Sequence, residues 1–245
     1  MRLLRLQEVE IGSNDRVYRH ARLRALVVWL AGVAAAAALL IHAHTVRWLP
    51  GYLFGSFLLL FLFLFRRIVT ARFHASNWLV RMTNTGLYIQ YRSYLNYQMS
   101  SDVPSVVFLE FGEIASARLI KERVQTPDPA KPGCTQTQFL RYIELELSGA
   151  SDTLAQALDA ERAQRAPMEK HWYGSSSTEY RDYPVRMTEP GFLRIHWDVV
   201  PGTRKFLTAM RPNTLIRETV HLKEDFAHPA SLGRVNALAQ GKAAQ

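Results

Sequence analysis

Between Ala25 and Phe65 the chain carries one charged side chain, Arg47. Two apolar runs fill that interval, residues 25–41 ("ALVVWLAGVAAAAALLI") and 49–65 ("LPGYLFGSFLLLFLFLF"), each of 17 residues. Such runs must either be sealed in a large core or sit in lipid. Their length is at the short end of what crosses a hydrocarbon layer of roughly 30 Å, and flanking Trp48, Tyr52 and histidines extend each into the interface. A buried core helix is rarely this uniformly apolar, and two in tandem argue against that reading. A cleaved leader is also disfavoured, because the basic region before the first run is long and a second run follows closely. The sequence therefore predicts an uncleaved transmembrane helical hairpin over 25–65.

The distribution of arginine orients it. Six precede the first run (Arg2, Arg5, Arg16, Arg19, Arg22, Arg24), four follow the second (Arg66, Arg67, Arg72, Arg81), and one lies in the connection "HAHTVRW" (42–48). By the positive-inside rule both termini are cytoplasmic and the hairpin tip faces out. The formal charge of +9 is concentrated here: residues 1–81 hold 11 basic and 3 acidic side chains, residues 82–245 hold 19 and 18. The surplus is juxtamembrane, where arginines attract anionic headgroups. Arg66, Arg67 and Arg72 are the headgroup candidates. The remainder is near neutral and lacks a basic stripe interleaved with aromatics, which argues against nucleic-acid binding.

Beyond residue 66 the pattern turns to strands. "WLVRMTNTGLYIQYRSYL" (78–95) reads as a hairpin, with Gly86 expected to supply a positive φ. Residues 113–126 fit a strand better than a helix. In "QFLRYIELELSG" (138–149), Phe139, Arg141, Ile143, Leu145 and Leu147 share one parity and Glu144 and Glu146 the other. Two carboxylates on one face can do acid–base work, but the solvated face of a half-buried strand is the stronger reading. Residues 151–166 fit a capped helix with Leu154 and Leu158 one turn apart. Residues 203–210 fit a short helix, 214–222 a strand and 228–240 a closing helix. "VRMTNTG" (80–86) returns as "VRMTEPG" (185–191). With nothing matching in between, reuse of hairpin chemistry explains this better than duplication.

Candidate chemistry is sparse. Cys134, the only cysteine, lies in a Pro- and Gly-rich stretch without a local base, which suits a reducing compartment and excludes an intrachain disulfide. His171, Ser175 and Asp182 have the residue types of a triad but no nucleophile elbow. His42 and His44 cannot complete a metal site alone. Neither span carries Asp, Glu or Lys, so no intramembrane proton path is read. Lys121 and Arg123 are the only close basic pair flanking the expected sheet. Trp172, Tyr173, Tyr180 and Tyr183 form an aromatic cluster suited to anchoring a partner. Gly51 and Gly55 match a small-xxx-small contact, within the hairpin or in a homodimer.

The order of membrane pair, Arg-rich stem, hairpin "WLVRMTNTGLYI" (78–89) and long strand "FLRYIELEL" (139–147) resembles the bacterial pleckstrin-homology-like domains that follow a two-helix anchor. The resemblance implies an α+β chain: residues 1–24 a cytoplasmic segment, 25–65 the hairpin, and 66–245 an antiparallel PH-like partial barrel with a helical insertion (150–182) and a C-terminal helix. It implies the bacterial inner membrane and a binding scaffold rather than an enzyme. The expected function is a membrane-anchored interaction module that binds a protein partner or assists assembly of a membrane complex. Anionic headgroup sensing is the alternative and a membrane enzyme a weaker one. No catalytic residue, cofactor or metal is expected.

Overall fold

The computed structural model describes residues 1–96, 99–100, 102–127, 135–149, 152–164, 169–171, 174–176, 184–197 and 200–223. The chain is α+β. Two long apolar helices come first: α1 (Arg22–Val46, 25 residues) and α2 (Leu49–Ala71, 23 residues). At 1.5 Å per residue each runs about 35 Å, long and apolar enough to cross a membrane. Arg47, with φ of 53°, turns the chain between them, and its N–H donates to Ala43 O. The helices touch along small residues. A Cβ on Gly51 would stand 2.8 Å from that of Ala43, and one on Gly55 2.7 Å from the Leu40 side chain. Both glycines thus serve close packing within the hairpin. Trp29 Nε1 donates to Leu62 O at 3.0 Å and fixes the register. The remaining surface is bare: Val28, Leu53, Phe54, Phe57 and Leu64 are each at least 65% exposed.

The first sheet contains β1 (Arg2–Leu4), β2 (Arg16–Tyr18), β3 (Val80–Met82), β4 (Gly86–Gln90) and β5 (Val106–Glu110), in the order β1-β5-β4-β3-β2. All its pairs are antiparallel. The N-terminal segment, expected to stand apart from the domain, supplies both edge strands. The connection from β1 to β2 must therefore cross the whole sheet, roughly 19 Å at 4.8 Å per strand. It does so along the outer face, where Leu6 and Val9 pack on a cluster of Trp78, Tyr88, Val106 and Phe108. Those aromatic side chains, directed away from the core, explain why the crossing segment stays down. The helix pair is inserted between β2 and β3, which are hydrogen-bonded neighbours.

The second sheet contains β6 (Ile114–Pro127), β7 (Thr135–Leu147), and then, after helix α3 (Asp152–Ala163) and a small hairpin of β8 (Glu169–His171) and β9 (Gly174–Ser176), β10 (Val185–Glu189) and β11 (Phe192–His196). Helix α4 (Thr203–Met210) precedes β12 (Leu215–Ile216) and β13 (Val220–Lys223). The order is β10-β11-β7-β6-β12, with β13 also on β6. The two last strands run parallel to β6. Neither sheet closes. The first sheet is antiparallel and open, and the second is mixed and open where an antiparallel partial barrel was expected, because the chain returns from α4 to β6 in the parallel sense. The expected closing helix at 228–240 lies outside the described residues.

One core joins the two large sheets with α3 and α4. Leu87, Ile89 and Leu109 of the first sheet, Ile143, Leu145, Leu193 and Ile195 of the second, Leu154 and Leu158 of α3, and Phe206 and Met210 of α4 are buried together. Burying each such side chain is worth roughly 1.5–3 kcal/mol. Arg92 locks α3 in place through a bidentate pair with Glu161, Nε to Oε1 at 2.6 Å and Nη2 to Oε2 at 3.0 Å, both side chains buried.

Candidate functional site at the base of the helix pair

The helix pair meets the sheets without a flexible linker. His20, between β2 and α1, is buried, and its Nδ1 lies 3.2 Å from Asn77 Oδ1. Asn77 Nδ2 donates to His20 O at 3.3 Å and also to Arg72 O. Arg72, at the end of α2, donates from Nη1 to Ala21 O at 3.0 Å and from Nε to Tyr94 Oη at 3.2 Å. The Tyr94 ring packs on His20 at 4.5 Å between centroids. The start of α1 and the end of α2 are therefore tied to each other and to the loop after β4. Burial drives the His20 pKa down to about 4; the Asn77 bond opposes the shift, and the charges of Arg72 and His196 add to it.

Beside this knot lies an open cavity of about 780 Å³. Its apolar wall comes from the helices: Val28 and Trp29 of α1, and Leu62, Phe65 and Val69 of α2. Pro201–Thr203, at the start of α4, forms the opposite side. Arg24, Arg72 and Arg141 border it, and no acid is among its described lining residues. Volumes of roughly 300–1,000 Å³ are those of small-molecule sites.

Arg141 connects the cavity to a second feature. On β7, Ile143 and Leu145 point into the core, and Arg141 and Phe139 continue the same face beyond it. Opposite them on β6 stand Lys121, paired in register with Arg141, and Arg123, paired with Phe139. His221 of β13 is level with Lys121. Where the inner face leaves the core, on the side of the helix base, it thus becomes a basic shelf. Phe139, 74% exposed, is set into it.

The sequence-expected residues divide. Arg72 borders the cavity and also holds the stem together. Arg66 and Arg67 are exposed on α2, where Arg66 lies over the Phe63 ring at 4.0 Å. Lys121 and Arg123 belong to the shelf. Gly51 and Gly55 lie at the other end, near the turn. There His44 Nδ1 lies 2.8 Å from Tyr52 Oη, so that histidine has a structural partner. Trp172, Tyr173, Tyr180 and Tyr183, with Cys134 and Asp182, fall outside the described residues. Sequence reasoning missed Arg24 and Arg141. A hairpin folded about residues 47–48 sets Arg24 roughly level with Ala71, so that signal was present. Arg141 was hidden because its parity matches core residues.

Glu144 also departs from expectation. It is buried rather than solvated, held by Arg118 Nε at 2.5 Å and Arg194 Nε at 2.6 Å from the strands on either side. Glu146 accepts from Ser116 Oγ at 2.6 Å and pairs with Arg217. A carboxylate clamped between two guanidiniums from neighbouring strands suits structural cross-bracing.

Comparison with protein-family models, with curated proteins and with solved structures returns no match.

Proposed function

We propose that the chain is a membrane-anchored, non-catalytic interaction module. The helix pair crosses a bilayer as a hairpin, and the two-sheet domain lies on the cytoplasmic side of a bacterial inner membrane, where it binds a protein partner or assists assembly of a membrane complex. The observation that carries this reading is the insertion of the helices between neighbouring antiparallel strands. Both helix ends issue from the same edge of one sheet, so the domain is held in one orientation rather than tethered. A partner would then meet a defined face at a defined height. The arginines at the helix base, against the single Arg47 at the tip, favour the cytoplasmic placement. The aromatic run Trp172, Tyr173, Tyr180 and Tyr183 is the surface offered to the partner.

Site-directed labelling tests the placement. In a Cys134→Ala background, Arg47→Cys is expected to react with a membrane-impermeant maleimide on intact cells, and Gly112→Cys only after permeabilisation. Extraction without detergent, or labelling of Gly112→Cys from outside, overturns the reading. Purification in mild detergent is expected to retain a stoichiometric partner, lost when Trp172 and Tyr173 are replaced by Ala.

A second reading, anionic headgroup binding, is favoured by one observation: the cavity with its arginines opens among the membrane-facing helix surfaces.

A further inference from the structure

We infer that the cavity at the helix base, with the basic shelf beside it, is a site for one anionic phospholipid of the surrounding bilayer. The inference rests on the reading that α1 and α2 cross that bilayer.

Location comes first. The cavity wall is continuous with lipid-facing surface, since Val28 is 65% and Phe65 43% exposed. An acyl chain already lying along the helices can enter without leaving an apolar environment. In water such an apolar wall would be costly to expose. Trp29, one of the lining residues, is held toward α2 by its bond to Leu62 O.

Charge selects the headgroup. Arg24 is exposed at the start of α1, at the level where a spanning helix leaves the hydrocarbon. Arg72 spends two of its five N–H donors on Ala21 and Tyr94, which fixes the guanidinium and leaves three donors over. Arg141, Lys121, Arg123 and His221 extend the positive surface outward, and the neighbouring carboxylate, Glu122, is buried and paired with Arg186. Phosphate is the partner that planar guanidinium groups bind best. Exposed Phe139 gives the shelf an apolar tip that can reach the acyl boundary. A zwitterionic lipid would bring its own cation against this surface; an anionic one would not.

Quenching of Trp29 fluorescence by brominated lipid tests the site. The full chain is reconstituted in phosphatidylcholine with rising fractions of either brominated phosphatidylglycerol or brominated phosphatidylcholine, and the Trp29→Phe signal is subtracted. Half-maximal quenching of Trp29 is expected at a mole fraction about fivefold or more lower for the anionic lipid, the effect of one or more basic residues at an anionic surface. Arg24→Gln with Lys121→Gln and Arg123→Gln, all exposed side chains, is expected to narrow that ratio and make it salt-insensitive. Ala25→Phe, which fills the cavity from a lining position, is expected to abolish it with thermal melting unchanged. Equal quenching by both lipids overturns the site and leaves the anchor standing. Quenching of neither Trp29 nor Trp48 by either lipid overturns the membrane-spanning reading itself.

Discussion

Residues 80–86 and 185–191 share five of seven positions, and both begin a hairpin. The two hairpins pair alike. Val80 faces Ile89 and Val185 faces Ile195; Met82 faces Leu87 and Met187 faces Leu193. Both send their valine, leucine and isoleucine into the one core, from opposite sheets. Their glycines and arginines then diverge. Gly191 has φ of +86°, and a Cβ there would meet only Leu147 O at 3.6 Å. Gly86 has no positive φ, but a Cβ would lie 2.1 Å from Leu109 O of β5. The expectation of a positive φ at Gly86 was thus wrong, though glycine is still required there. Arg81 is buried against Asp15 at 3.3 Å, and Arg186 is 41% exposed beside Glu122 at 3.6 Å. The same local code makes the same hairpin. What each residue is needed for is decided by the sheet that receives it.

The largest way to break the likeness is Gly86→Ala. The new Cβ must displace the backbone of β5, with the Glu110 Cα 3.0 Å away as well. A loss of roughly 4 kcal/mol is expected, at the severe end for a point change. Gly191→Ala meets open space and a strained φ alone, for about 1–2 kcal/mol. Denaturant melts of the detergent-solubilised chain compare the two, and equal losses would contradict the assignment of different roles.

The arginines come next. Arg81→Gln leaves Asp15 buried without its guanidinium, and a loss of roughly 3 kcal/mol is expected from the same melts. Arg186→Gln removes an arginine that is 41% exposed from a buried Glu122, and is expected to cost less than the Arg81 change, about 1–2 kcal/mol. The difference has a topological source. Asp15 arrives on the segment that crosses the outer face of the first sheet, and the second hairpin has no such strap among the described residues.

The first hairpin is fastened to the helix stem through β2, His20 and Asn77, so pH sharpens the comparison further. His20 is neutral in the fold down to about pH 4, but an unfolded chain protonates it near 6.5. Stability from this group is therefore complete above pH 6.5 and is lost as pH falls from 6.5 toward 4, by up to roughly 3 kcal/mol. The groups facing it are Asn77, Arg72, Tyr94 and His196, and no described carboxylate compensates the new charge. Melts at pH 7 and pH 4.5 are expected to differ accordingly in the native chain. His20→Gln should flatten that dependence; a dependence that survives the substitution would place it elsewhere.

How much of this could be read beforehand follows from the range of each interaction. The helix pair, both hairpins, the β6 strand, α3 and α4 were legible because periodicity and turn residues are local. The N-terminal strands were not. "RLL" and "RVY" are three-residue edges with no pattern of their own, and they form only because the first sheet offers Val106–Phe108 and Val80–Met82 as partners. Glu144 was misread because alternation reports which face a residue is on, not whether arginines from neighbouring strands will cover it. The cavity was half legible: its arginines near the spans follow from charge counting, but Arg141 reaches it only through the pairing of β7 and β11.

The smallest expected effect lies in the turns themselves. Thr83 Oγ1 accepts from the Gly86 N–H at 3.1 Å and from the Thr85 N–H at 3.3 Å, and donates to Gly86 O at 3.1 Å. That hydroxyl reinforces the backbone bond from Thr83 N–H to Gly86 O at 2.9 Å that closes the turn of the first hairpin. Its counterpart Thr188 is exposed at a register shift between Met187 and Glu189, where β10 loses step with β11. Thr83→Ala is expected to cost about 1 kcal/mol, the net worth of a satisfied hydrogen-bond set in a half-buried turn. Thr188→Ala should stay within about 0.5 kcal/mol. Amide hydrogen exchange resolves what melting barely can: protection at Thr85 and Gly86 should fall in the first variant, with the second hairpin unchanged. Equal sensitivity in both turns would mean that threonine acts through strand propensity common to the two copies, and the hydroxyl bonds of the first would not be what sets it apart.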